Sequence, residues 1–216
     1  MMRAHYAGEL ESVRQSLIAM GETTVALLAE ALRAVVDPSP GRSEKASELE
    51  SQTDHQHRLI HDQCLNLITL QSPVARDARL ITGALDAIVD LELIGDYAYE
   101  MVLLVSAKQR RPPSQILSQI SDIGVKIREV LSAAIDSWRS EDRSLALSVR
   151  PREAAIRAEC QALAEKVSLL TSAPGDVTAY VNLLLICRHL ERIMRHAVCV
   201  AEQAARAAPL APAPPA

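Results

Sequence analysis

Two carboxylates, Glu92 and Asp96, stand one helical turn apart with Gly95 beside them. Acidic oxygens on one face of a helical bundle can bind a hard or borderline cation, with further ligands from neighbouring helices. The alternative is a solvated acidic face, extended by Asp86 and Asp90, and spacing alone does not decide between the two. Glycine costs a helix about 1 kcal/mol relative to alanine, so Gly95 predicts close approach of a neighbouring helix or ligand.

A second group of candidate metal ligands lies earlier in the chain. Asp54, His57 and His61 share one side of a predicted helix at a spacing that could ligate a metal, although such histidines are more often ordinary hydrogen-bonded residues. A ferritin-type di-iron site needs two Glu-x-x-His motifs, and the sequence contains none. It also lacks a P-loop and a Gly-x-Ser-x-Gly motif, so we expect no enzymatic activity.

The stretch that carries the acid pair recurs in altered form. Residues 85–101 align without a gap with residues 184–200, which lie 99 positions further on. Glu191 retains the first acid of the pair, but Met194 replaces the glycine and Arg195 replaces the second acid. A guanidinium one turn from Glu191 predicts an ion pair between the two side chains. A metal site is therefore expected only in the first half, or to be stronger there.

Apolar residues recur at helical spacing through both halves of the chain. The predicted helices fall at about residues 10–35, 44–70, 73–108, 116–134, 156–170 and 177–206. Short connections make successive helices antiparallel, so each half should close as an up-down-up bundle. The predicted fold class is all-α, with six long helices forming two three-helix bundles related by an internal repeat.

Proline-rich segments define the predicted domains. The break RRPPS at residues 110–114 separates a first three-helix bundle over residues 1–109 from a second over residues 113–207. The proline- and alanine-rich tail, residues 208–216, has the composition of a disordered, polyproline-like end.

The first and fourth predicted helices match best at a different offset. Gly21 and Gly124 correspond at 103 positions, after which the offset falls to 99. The connection after the fourth helix is therefore expected to be four residues shorter than its counterpart. The segment WRSEDRS, residues 138–144, is predicted to lie in that connection.

The composition indicates an aliphatic core in a reducing compartment. Hydrophobic residues make up 49% of the 216 residues, Phe is absent and Trp138 is the only tryptophan. A net charge of −4 offers no basic field for nucleic acid. The four cysteines form no Cys-x-x-Cys pair and are predicted to be small buried hydrophobes. With no signal peptide and no apolar run of about 20 residues, we expect a soluble, cytoplasmic protein.

Three segments resemble the PhoU family, the accessory proteins of bacterial phosphate uptake. They are SPVARDARLI at residues 72–81, LELIGDYA at residues 91–98 and its weaker echo LERIMRHA at residues 190–197, and the duplicated plan extends the resemblance over about residues 5–207. The resemblance implies a homodimeric, non-enzymatic, cytoplasmic protein that helps to repress the phosphate-starvation response. It also implies contacts with the ATPase subunit of the phosphate importer and with the phosphate-sensing histidine kinase.

The resemblance further implies a metal site. In the family, an acid-x-x-x-Asp motif in each bundle can bind iron or zinc clusters, and this role carries over to Glu92 and Asp96. In the second bundle it carries over to Glu191 alone, because Arg195 stands where the second acid belongs. The predicted function is a phosphate-signalling adaptor. The alternatives are a metal-binding helical bundle with a storage or enzymatic role, and a helical scaffold with no link to phosphate.

Overall fold

The computed structural model describes residues 2–71, 73–105, 112–170 and 177–209, without the side chains of residues 2–4 and 71. Every regular element within these ranges is an α-helix. The helices are α1 (Met2–Val36), α2 (Pro40–Gln71), α3 (Ala75–Leu103), α4 (Ser114–Ser140), α5 (Arg143–Val149), α6 (Arg152–Leu170) and α7 (Val177–Ala207). The predicted all-α class with six long helices is confirmed, and the short α5 is an addition to it.

The six long helices form two three-helix bundles. In the first, α1, α2 and α3 pack against one another, and in the second, α4, α6 and α7 do so. Two helix pairs join the bundles, α3 with α7 and α1 with α4. One hydrophobic core runs through both bundles and consists mainly of Leu, Ile, Val and Ala side chains.

Helices α3 and α7 run antiparallel where the bundles meet. Nδ1 of His196 lies 2.8 Å from Oδ1 of Asp90. The positions that correspond to these two residues at an offset of 99 are Tyr97 and His189, and their rings are stacked with centroids 5.6 Å apart. Equivalent positions therefore meet again when the two halves are exchanged, as a duplication predicts, although one pair makes a polar contact and the other a ring stack.

The crossing of α1 and α4 shows the same exchange at the other offset. The side chain of Ile135 lies over Gly21, and the side chain of Leu32 lies over Gly124. Leu32 and Ile135 are 103 positions apart, as the two glycines are. Both side chains are buried, so each bundle inserts one large residue against a glycine of the other.

The connection after α4 is longer than its counterpart and not four residues shorter, because residues 141–151 with α5 join α4 to α6, whereas residues 37–39 join α1 to α2. Trp138, predicted to lie in that connection, belongs to the last turns of α4, and its buried indole N–H donates to the carbonyl oxygen of Val200 at 3.1 Å. Glu141 then takes a left-handed conformation with φ of 53° and ends the helix. The side chain of Asp142 accepts a hydrogen bond from the backbone N–H of Ser144 at 2.7 Å and so caps α5. With only seven residues, α5 is too short to show a clear apolar period.

Helix α3 ends earlier than predicted. It was expected to reach about residue 108, but Leu103 is its last residue. The side-chain amide of Asn182 in α7 donates to the carbonyl oxygen of Leu104 at 2.7 Å. This bond gives the Leu104 carbonyl oxygen a donor, which otherwise only a further turn of helix would supply.

The cysteines behave as core residues. Cys64, Cys160 and Cys187 are buried, Cys199 is partly buried, and none of the four forms a disulfide. Burial raises the pKa of the Cys64 thiol to about 12. A thiol with this pKa stays protonated at neutral pH, so the prediction of small buried hydrophobes is confirmed for the three buried cysteines.

Some of the predicted organisation falls at the limits of the described ranges. Ala208, the first residue of the predicted tail, is buried, and its N–H donates to the carbonyl oxygen of Ala204 at 2.9 Å. The rest of the tail, residues 210–216, lies outside the described residues, as do residues 106–111 at the predicted break. Among the described helices, none combines the length and apolar character that crossing a membrane requires.

Candidate metal centre

Helix α2 packs against α3 at Gly95. A Cβ atom added to this glycine would lie 3.4 Å from Cγ2 of Thr53 and 3.6 Å from Cδ2 of Leu27. Thr53 is buried, and its hydroxyl donates to the carbonyl oxygen of Leu49 at 3.0 Å. The neighbouring helix that the glycine predicts is present, at a distance where an alanine methyl group would make ordinary van der Waals contact. The contact brings polar side chains of α2 and α3 together beside the glycine.

Three carboxylates from these two helices form what we term the acidic cluster. They are Glu50 and Asp54 of α2 and Asp96 of α3, and one oxygen of each lies within 4.8 Å of the others. The sequence singles out Asp54 and Asp96 but not Glu50. A signal for Glu50 was nevertheless present, because Glu50-x-x-x-Asp54 has the same spacing as Glu92-x-x-x-Asp96.

Negative charge accumulates at the acidic cluster. Burial raises the pKa of the Asp96 carboxyl to about 6, and the negative charges of nearby acids add to the rise. Those acids are Glu92, Asp54, Glu50 and Glu100. A bound cation would oppose the desolvation and the repulsion together by stabilising the ionised carboxylates, so the electrostatics of the cluster favour cation binding.

Glu92 pairs with a histidine of the neighbouring helix. Its Oε1 lies 3.3 Å from Nδ1 of His57. His61 has a different partner, since its Nδ1 lies 3.6 Å from Oδ1 of Asp62. The predicted group of Asp54, His57 and His61 is therefore divided: Asp54 joins the acidic cluster, His57 pairs with Glu92, and His61 pairs with its neighbour in sequence.

The donor set fits a hard or borderline divalent cation. Such ions bind carboxylate oxygens at about 2.0–2.6 Å, so two oxygens on one ion are at most about 5 Å apart. The oxygens of the acidic cluster meet this limit. Glu92 and its partner His57 supply further oxygen and nitrogen donors on the same two helices. Of the two predicted ligands, Asp96 thus belongs to the acidic cluster and Glu92 lies beside it.

The second bundle arranges the corresponding residues as ion pairs. Oε2 of Glu191 lies 2.6 Å from Nη1 of Arg188. Arg195 instead reaches towards α6, where its Nη1 lies 3.9 Å from Oε1 of Glu153, the counterpart of Asp54. The predicted pair between Glu191 and Arg195 is therefore wrong, because each side chain has a nearer partner. Within the described ranges, three or more potential ligands converge in this way only at the acidic cluster, and a metal role for Glu191 stays a prediction.

Known proteins resemble the chain over both halves. The family model for the PhoU domain matches residues 17–105 and again residues 120–204. A phosphate-specific transport system accessory protein PhoU homolog from Pseudomonas aeruginosa is 29% identical over 201 residues, covering 91% of this chain and 82% of that protein. The homolog of the same name from Synechocystis is 27% identical over 205 residues, covering 93% and 90%. These relatives are named as accessory proteins and not as enzymes.

Solved structures share the architecture. The crystal structure of PhoU from Pseudomonas aeruginosa matches with a TM-score of 0.84 at 26% identity, covering 92% of this chain and 96% of that one. The crystal structure of the phosphate transport system regulatory protein PhoU from Streptococcus pneumoniae shares the fold, with a TM-score of 0.82 at 20% identity and coverage of 92% and 94%. The family predicted from three short segments is thus confirmed along the chain, which belongs to the PhoU family.

Proposed function

We propose that this protein is an accessory regulator of phosphate uptake that helps to repress the phosphate-starvation response. The observation that carries the proposal is the match of the PhoU domain to both halves of the chain. The similar proteins are named as accessory proteins of the phosphate-specific transport system. In this proposal the protein acts in the cytoplasm as a homodimer. It contacts the ATPase subunit of the importer and the phosphate-sensing histidine kinase.

The proposed mechanism is surface recognition without catalysis. Long exposed helical faces suit this role, because a partner can lie along several turns of one helix. The acidic cluster would hold an iron or zinc ion that is structural or regulatory. Its ligands would be Asp96 with Glu50 and Asp54, supported by Glu92, while Glu191 contributes at most a second, weaker site. The carboxylate spacing and the raised pKa of Asp96 support this part of the proposal.

Deleting the protein tests the regulatory role directly. We expect transcription from a phosphate-regulated promoter to stay high in phosphate-rich medium after deletion, and to be repressed again when the full chain is supplied. A pull-down with the importer ATPase and with the histidine kinase tests the contacts. Normal repression in the deletion strain, together with the absence of both contacts, would contradict the proposal.

A second candidate function is metal storage or metal-dependent catalysis by the helical bundle. The convergence of three carboxylates in the acidic cluster favours it. Elemental analysis of the purified protein, followed by a melting scan with and without chelator, measures how much metal is bound and whether it stabilises the fold. Several metal ions per chain, or turnover that chelator abolishes, would favour this candidate over the regulatory adaptor.

A further inference from the structure

The second bundle contains a concavity lined mainly by arginines, which we term the arginine groove. It lies between α6 and α7 and has a volume of about 230 Å³. Its lining residues are Arg157 of α6 and Arg188, Glu191, Arg192 and Arg195 of α7. Four guanidinium groups converge here in a protein whose net charge is −4, so the groove differs in sign from the molecule as a whole.

The carboxylates near the arginine groove neutralise only part of its charge. Glu191 pairs with Arg188 at 2.6 Å, and Glu153 accepts a hydrogen bond from Nη2 of Arg157 at 2.9 Å. Arg195 lies 3.9 Å from the same Glu153 oxygen, which is too far for a hydrogen bond. Four arginines set against these two carboxylates leave two positive charges uncompensated.

Arg192 is held in place without a carboxylate partner. Its guanidinium carbon lies 5.2 Å from the centroid of the Tyr97 ring, a cation–π distance across the contact between the bundles. Among the described residues, no carboxylate oxygen lies within ion-pair distance of it. A stacked guanidinium keeps its N–H groups available for a ligand and loses little further freedom on binding.

The positive charge is specific to the second half of the chain. At an offset of 99, Arg188, Arg192 and Arg195 correspond to Val89, Leu93 and Asp96. The second half therefore carries a positive charge at three positions on one face of the helix where the first half carries none, while the helical framework stays the same. Three guanidinium groups on one helical face repel one another unless an anion lies between them, and exposure to solvent alone does not require such a concentration of charge.

We propose that the arginine groove binds a small dianionic oxyanion of the phosphate type. Guanidinium groups donate pairs of parallel hydrogen bonds to such anions, and a tetrahedral oxyanion accepts donors from several directions at once. Two uncompensated positive charges match a dianion. The volume of the groove accommodates a small free anion. This site is separate from the acidic cluster and does not depend on the proposed regulatory function.

Titration of the full-length protein with inorganic phosphate tests the proposal by calorimetry. We expect saturable binding that weakens as the ionic strength rises. The double variant Arg192→Ala with Arg195→Ala should bind phosphate at least about tenfold more weakly, since each lost charge-assisted hydrogen bond contributes about that factor. Arg150→Ala is the matched control, because Arg150 is 73% exposed, pairs with Glu202 outside the groove and lies in the same half.

Each outcome bears on the proposal. Phosphate binding that the double variant loses and the Arg150 variant keeps supports the proposal, and similar behaviour with sulfate extends it to dianionic oxyanions in general. No binding by the unaltered protein overturns it, as does binding that survives the double substitution. Binding only to vesicles that contain anionic phospholipid also overturns it, because the ligand would then be a membrane surface. Circular dichroism of each variant checks that the helices remain intact.

Discussion

Leu32 fills the space that a side chain at Gly124 would need. A Cβ atom added at Gly124 would lie 2.1 Å from Cδ2 of Leu32, far inside van der Waals contact. The reciprocal pair is as close, with 2.2 Å between an added Cβ at Gly21 and Cδ1 of Ile135. The two bundles therefore interlock through one large side chain and one glycine from each.

Gly124→Ala is expected to destabilise the protein. The new methyl group forces the buried Leu32 to move, and overpacking of this kind costs about 1–3 kcal/mol. Alanine offsets about 1 kcal/mol of that cost through its higher helix propensity. We expect a net loss of about 1 kcal/mol in the free energy of unfolding, measured by urea denaturation, and a similar loss for Gly21→Ala.

Gly95→Ala is the matched control for these glycines. Its added Cβ would lie 3.4 Å from Cγ2 of Thr53, which is ordinary van der Waals contact. We expect no loss of stability, or a gain of up to about 1 kcal/mol from helix propensity. Equal losses at Gly95 and Gly124 would show that the contact with Leu32 is not what restricts position 124.

Metal binding should depend on the acids of the first bundle. Glu92→Ala combined with Asp96→Ala is expected to lower the metal content of the purified protein while leaving the helical fold intact. Glu50→Ala should also weaken binding, at least about tenfold, because one of its oxygens belongs to the acidic cluster. Elemental analysis and metal titration measure both effects.

Glu191→Ala tests the second, weaker site. Glu191 pairs with Arg188 in the second bundle, so its loss should lower the metal content less than the loss of Glu92 and Asp96 does. If the metal content is unchanged in the Glu92 and Asp96 double variant, the acidic cluster is not the binding site.

Asp96 should make the metal-free protein less stable as the pH rises. Its pKa is about 6 in the folded protein, against an ordinary value of 3.8 that we take for the unfolded chain. The folded state therefore binds the proton more tightly, and the stability that this provides is present below about pH 4. It is lost as the pH rises to about 6 and does not return above that pH.

Asp96→Asn is expected to remove this pH dependence. At pH 7 it should stabilise the metal-free protein by about 1 kcal/mol, after allowance for partial exposure and solvent screening. Urea denaturation at a series of pH values, in the presence of chelator, measures the effect. Asp86→Asn, at an exposed position of the same helix, should leave the fall in stability between pH 4 and 6 in place. A fall of the same size in the Asp96→Asn variant would contradict the role of Asp96.

Trp138 should report on both bundles at once. Its side chain extends from α4 of the second bundle, and its Cη2 lies 3.5 Å from the position of an added Cβ at Gly83 in α3. Because one core runs through both bundles, we expect tryptophan fluorescence and far-UV circular dichroism to give coincident urea transitions. Two separate transitions would show that the bundles unfold independently.

The repeat made most of the fold predictable. Apolar spacing locates the six long helices, and the offset of 99 relates α3 to α7 from the sequence alone. Local pattern did not locate α5, whose start depends on the cap at Asp142, or the end of α3, which depends on a bond from Asn182 across the interface. Such helix boundaries depend on contacts between segments that are distant in sequence, and the local sequence pattern gives no information about these contacts.

Only the candidate ligands that lie on a single helix could be predicted from the sequence. The spacing of Glu92 and Asp96 placed both on one face of α3, but which face of α2 meets them depends on packing, so Glu50 was missed. In the second bundle, Glu191 has an arginine three residues before it and another four residues after it. Glu191 pairs with Arg188, while Arg195 extends towards Glu153 of α6, and only the packing of α6 against α7 distinguishes the two.

The antiparallel contact between α3 and α7 has a consequence for how the two halves can evolve. In a dimer of identical three-helix units, any substitution appears on both sides of the twofold axis. When two such units are joined in one polypeptide, a substitution in one half no longer appears in the other half. Position 96 can thus be an aspartate while position 195 is an arginine, so that two similar helical bundles bear opposite charges at equivalent sites.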